Sequence, residues 1–98
     1  MSVDFTSICN HHEQSVFDAV REAAPHYPDL TGNAELLADV ACVALNRIQP
    51  RYIRCAVDYA FYQSDVERAQ ADKLVHDAVS FAFGFVQSRA ALRMRGEH

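Results

Sequence analysis

The chain has 98 residues, 50% of them hydrophobic and 22% charged, with a formal net charge of −4. That length makes one small domain with a modest core, and that balance is globular, not disordered. The acidity excludes a general binder of nucleic-acid backbones, which needs net positive charge, but leaves room for a small anion at a local basic cluster.

The amino-terminal Met1-Ser-Val-Asp-Phe-Thr-Ser7 has no basic region followed by an apolar one, so no signal peptide is predicted. The apolar runs are too short to span a bilayer. Cys9, Cys42 and Cys55 are odd in number and far apart. They read as reduced thiols of a cytoplasmic protein, not as a disulfide framework.

The first helix is predicted from about Ser7 to Ala24, capped by Thr6 or Ser7. Ile8, His12, Val16, Val20 and Ala24 recur every four residues on one stripe, with Cys9 and Phe17 beside them. Pro25 stops it, and Pro28, Thr31 and Gly32 make the connection a loop. Asn33 is the candidate cap of a second helix to about Ile48, with Leu36, Leu37, Val40, Ala41, Ala44 and Ile48 as its apolar stripe. Pro50 drives Gln49 out of helical geometry.

Residues Tyr52 to Tyr62 read as an extended or irregular connection with room for a short strand. Ser64-Asp65-Val66-Glu67 fits a capping box and opens a third helix to about Arg93. On it, Leu74, Ala78, Phe81 and Phe85 form one stripe, widened by Val75, Val79, Ala82 and Val86. Phe83 points nearly the opposite way. A helix apolar almost all round is buried all round, so Phe83, with Tyr59, Phe61 and Tyr62, is assigned to a subunit interface. The basic end frays over about 94–98. Residues 1–98 thus form one mainly α domain. It has three helices, a short extended or irregular connection between the second and third, and an oligomeric assembly.

The densest chemistry lies between Asp39 and Arg54. An apolar helix breaks at Pro50 with Asn46, Arg47, Arg51, Tyr52 and Arg54 gathered around the break. Three guanidiniums, an amide and a phenol held by a proline turn suit a flat anion. Guanidinium forks match phosphates and also stack on bases. The plainer reading is a solvated helix end with a core tyrosine. Asn46 also has a structural reading, a bond to the backbone that fixes the turn. Asn10 and Glu13 either brace that turn or meet the ligand.

This stretch, Asp39-Val-Ala-Cys-Val-Ala-Leu-Asn-Arg-Ile-Gln-Pro-Arg-Tyr-Ile53, resembles the signature of the late-competence ComFB family: an Asp, an Ala/Val/Leu helix, then Leu-Asn-x-Leu-Pro-Pro-x-Tyr. Asn10-His-His-Glu13 is similar to the family's Asn-Tyr-x-Glu segment. Gln49 replaces the first proline of the usual pair. Leu30 to Glu35 lacks the cysteines that some members carry there in association with zinc. The resemblance implies a small helical protein forming dimers or larger assemblies, and a receptor for cyclic dinucleotides, cyclic di-GMP above all.

On that basis Arg47 and Arg51 are expected on phosphate, Arg54 as a third cation and Tyr52 stacked on a base. Asp39 either accepts from a guanine edge or pairs with Arg47. The rival expectation is a ligand-free homo-oligomeric adaptor for protein–protein contact. A receptor gathers Arg47, Arg51 and Tyr52 in a concave site; an adaptor splays them into solvent or spends them on carboxylates.

Cys9 and His12, three apart, have a spacing that can hold zinc, and His11, Cys42 and Cys55 complete a set only if the fold gathers them. There is no Cys-x-x-Cys pair, and buried cysteine usually packs as a small hydrophobe. No nucleophile elbow, phosphate loop or paired-carboxylate pattern is present, and the adjacent His76 and Asp77 diverge by about 100° on a helix. The expectation is therefore a cytoplasmic regulatory protein without catalysis, metal or cofactor. Its partners are a cyclic dinucleotide, a second copy and an unidentified protein, with no membrane and no direct nucleic-acid contact.

Overall fold

The computed structural model describes residues 2–54 and 64–94. After a 3-10 turn at Phe5–Ser7 comes strand β1 (Ile8–Asn10), then helix α1 (His12–Ala23) and a second 3-10 turn, Ala24–His26. Helices α2 (Pro28–Thr31) and α3 (Ala34–Arg47), strand β2 (Tyr52–Arg54) and helix α4 (Asp65–Met94) follow. The strands pair antiparallel, Ile8 opposite Arg54, Cys9 opposite Ile53 and Asn10 opposite Tyr52.

The mainly helical class holds, but among the described residues there are four helices and a two-stranded sheet instead of three helices. The residues predicted to open the first helix form β1 instead. Asn10 is the reason: its side-chain oxygen accepts the His12 amide at 3.2 Å and the Arg51 amide at 3.1 Å. One side chain thereby starts α1 and ties it to the segment after Pro50. The predicted loop after α1 contains α2, started by Pro28, whose ring is pre-set for a first helical position.

The caps read from sequence are in place. Asn33 accepts the Leu36 amide at 3.1 Å, and the Ser64 hydroxyl accepts the Glu67 amide at 3.1 Å. Helices α1, α3 and α4 pack on one another around Val16, Val20, Val40, Ala44, Val79, Ala82 and Val86. Among the described residues no helix is long and apolar enough to cross a membrane.

Two expectations are corrected. Phe83 is not an interface residue: it is fully buried within the single chain and stacks on Tyr27 with centroids 4.3 Å apart. The core stripe of α4 is Val75, Ala78, Val79, Ala82, Phe83 and Val86, while Leu74, Phe81 and Phe85 stay 47%, 42% and 45% exposed. The buried side is turned by about one residue, roughly 100°, from the stripe read in the sequence. Tyr59, Phe61 and Tyr62 lie outside the described residues. The cysteines are the second correction. Cys9 stands on a strand, not on the His12 helix, and is disulfide-bonded, whereas Cys42 is free and exposed. Cys55 and the tail 95–98 also lie outside the described residues.

Candidate functional site

Pro50 divides the arginine cluster between two surfaces. On its carboxyl side, Arg51 is fixed by its backbone: its amide donates to Asn10, and its carbonyl accepts from the His11 amide at 2.6 Å. Tyr52 and Arg54 follow on β2. Alternate residues of a strand share a face, so the Tyr52 ring and the Arg54 guanidinium point the same way, with Asn10 and Ile8 across from them. Tyr52 is 68% exposed, which excludes the core-tyrosine reading. Asn10 braces the turn, the structural one of its two expected roles.

The charge of Arg51 reaches two imidazoles. Burial first, and then the Arg51 guanidinium, push the His11 pKa down. His12 is lowered by burial first, then by His11 and Arg51. His12 is buried at 8% exposure, and the two rings are 5.5 Å apart. Together they line a cleft of about 200 Å³ with Ser15, Arg68 and Asp72. Sequence reading missed this coupling between the histidines and Arg51. The Asn10-His-His-Glu13 segment contained the signal, but only the strand register brings it against Arg51.

On the amino side of Pro50, Arg47 goes elsewhere. Its guanidinium lies 3.7 Å from the centre of the exposed Phe81 ring on α4. Phe81 stacks on Phe85 at 6.0 Å, and Arg89 lies 5.8 Å from the Phe85 centre. These contacts follow from i, i+4 spacing on α4, visible in the sequence as Phe81, Phe85, Arg89 and Arg93. Asp39 is exposed on this same side and shares a cleft of about 310 Å³ with Val43, Phe85, Arg89 and Arg93.

Asn46 donates to the Cys42 carbonyl at 3.0 Å, which commits it to its own helix. Glu13 is exposed in the first turn of α1, where a carboxylate favours the positive end of the helix dipole. The structure therefore brings together Asn10, Arg51, Tyr52 and Arg54, and carries Arg47, Asp39 and Asn46 to the α3–α4 side. Among the described residues no group of three or more His, Cys, Asp or Glu is arranged to hold a metal ion.

The chain matches the family of the late competence development protein ComFB over residues 9–90. No curated protein and no solved structure matches it.

Proposed function

Because the chain belongs to the ComFB family, we propose that it is a regulatory receptor for a cyclic dinucleotide, cyclic di-GMP above all. Its ligand site is the strand pair, with Tyr52 as the stacking surface and Arg54 as a phosphate contact on one face, and Arg51, beside His11 and His12, as a second phosphate contact at its end. The observation that carries this reading is the way those groups are held. Arg51 is pinned by two backbone hydrogen bonds, while Tyr52 and Arg54 stand on a strand whose register is set through Asn10. Preorganised donors lose less freedom on binding than groups on a loose loop. A base stacked on Tyr52 contributes roughly 1–3 kcal/mol, and each guanidinium–phosphate contact roughly 1.5–3 kcal/mol. Occupancy then alters which protein partner docks.

Calorimetric titration with cyclic di-GMP, cyclic di-AMP and linear dinucleotides tests this. Saturable heat with a cyclic dinucleotide, weakened by salt and by Arg51→Ala, supports the receptor. No heat, thermal shift or chemical-shift change at high micromolar ligand sinks it.

A second reading has its own observation. Exposed Phe81 and Phe85 are large apolar groups on a rigid helix, as a protein–protein adaptor presents them. The two readings occupy different surfaces, so one chain can serve both.

A further inference from the structure

The cleft between the first turn of α1 and the first half of α4 holds about 200 Å³, and His11, His12, Ser15, Arg68, Asp72 and Val75 line it. His12 is its informative member. The residue is only 8% exposed, yet its ring makes no hydrogen bond among the described residues. Among those residues no fully buried side-chain nitrogen lacks a partner. The exposure that His12 keeps is therefore at its ring nitrogens, on the cleft it lines. Burying a polar group costs free energy unless it is hydrogen-bonded, so a ring held this way points to something bound in the cleft.

The surrounding charges say what. Arg68 lines the cleft from α4, and the charge of Arg51 reaches both imidazoles. His11, His12 and Ser15 place the cleft at the start of α1, the positive end of a 12-residue helix. Against these stands one lining carboxylate, Asp72.

We propose that this cleft binds a phosphate group, free or at the end of a small ester, which accepts from Arg68, Ser15 and His12 and donates its own proton to Asp72. The volume lies below the roughly 300–1,000 Å³ of sites that enclose a whole drug-sized ligand, so only the phosphate group enters. Asp72 selects among anions. A phosphate monoester has a second pKa of about 6, so near neutral pH part of it still carries an O–H for the carboxylate to accept. Sulfate and ordinary carboxylates have lost theirs and are repelled. The phosphodiesters of a cyclic dinucleotide have no such proton either. The cleft is thus a second site, apart from the Tyr52 and Arg54 face. Burial holds both imidazoles below their ordinary pKa, and a neutral ring still offers one N–H donor.

The test follows the histidine ring signals of the full chain by NMR while inorganic phosphate replaces chloride at constant ionic strength. The His12 signals should move saturably, with half-saturation at about 1 mM or below, the reach of two or three charge-assisted contacts. Sulfate should bind at least tenfold more weakly than phosphate. Arg68→Gln, at an exposed position, should weaken phosphate at least fivefold with the thermal midpoint unchanged. Asp72→Asn should let sulfate bind about as well as phosphate. A nucleoside monophosphate separates the two sources: binding as tight as inorganic phosphate supports an ester end, and binding at least tenfold weaker supports free phosphate.

Unmoved His12 signals at about 20 mM phosphate overturn the proposal, as does a shift that chloride reproduces, which would be screening alone. Phosphate binding indifferent to both Arg68→Gln and His12→Gln also overturns it. Equal binding of sulfate by the unaltered chain overturns the role of Asp72. The probe is inorganic phosphate and the variants lie on α1 and α4, so this proposal and the cyclic-dinucleotide reading fail independently.

Discussion

Arg47 and Arg51 stand four residues apart, yet they belong to surfaces built by different forces. Arg47 ends α3, and its position follows from side-chain packing, a guanidinium laid over Phe81. Arg51 follows the proline break, and its position follows from backbone hydrogen bonds to Asn10 and His11. The helix face is apolar and aromatic with cations laid on top. The strand face is polar, and its one large ring, Tyr52, is left bare at 68% exposure. A run of arginines in sequence is therefore not one site. A proline between them decides which side chains share a surface and which part company.

The largest expected effect tests which side of α4 is core. Phe83→Ala should cost about 3–5 kcal/mol of stability, the range for truncating a buried phenylalanine. Phe85→Ala should cost about 0.5 kcal/mol or less, as surface substitutions do. Equal losses in chemical denaturation would erase the distinction between the two faces.

The next effect separates the arginines. Arg51→Ala should weaken cyclic di-GMP at least tenfold, about 1.4 kcal/mol or more, while Arg47→Ala changes it much less. If calorimetry ranks them the other way, the ligand sits on the α3–α4 side, near Asp39, Arg89 and Arg93.

Asn10 joins α1 to the strand pair, so its loss should blur the comparison. Asn10→Ala removes the acceptor of two amide hydrogen bonds and should cost about 1–2 kcal/mol in thermal denaturation. It should also loosen Arg51 and lower ligand affinity. Asn10→Asp keeps an acceptor oxygen and should recover most of the stability.

The smallest effect is a pH dependence belonging to the strand side alone. His11 and His12 both have folded-state pKa values below the ordinary 6.5. The folded chain therefore binds fewer protons than the unfolded chain as pH falls through 6.5. Stability is present above that pH and declines below it. Burial is the larger cause of both shifts and the Arg51 charge a lesser one; a phosphate on Arg51 would offset that lesser part. Binding near pH 6 should then take up protons, seen as a buffer-dependent heat and as a downfield move of the histidine ring protons. Equal heats in buffers of different ionisation enthalpy would show that the ligand does not reach Arg51.

Local chemistry was legible along the chain. Asn33 and Ser64 cap the helices they were read to cap, Arg47 ends α3 and the apolar periods mark α1, α3 and α4. The central motif was enough to indicate the family, because a proline, its flanking polar groups and the helix before it are contiguous. Less legible was the start of the chain. Ile8 to Asn10 follow a helical period but form a strand, since their hydrogen-bond partners lie more than forty residues away at Tyr52 to Arg54.

By itself the sequence determined the helical class, the helix starts at Asn33 and Ser64 and the set of candidate cations, because those depend on interactions within a few residues. Only the tertiary structure decided which side of α4 is buried, and that Arg47 parts from Arg51. A helix apolar on several sides has no preferred inward face until α1 and α3 pack against it. Tyr27, arriving from the turn after α1, then selects Phe83 for the core and leaves Phe81 and Phe85 outside.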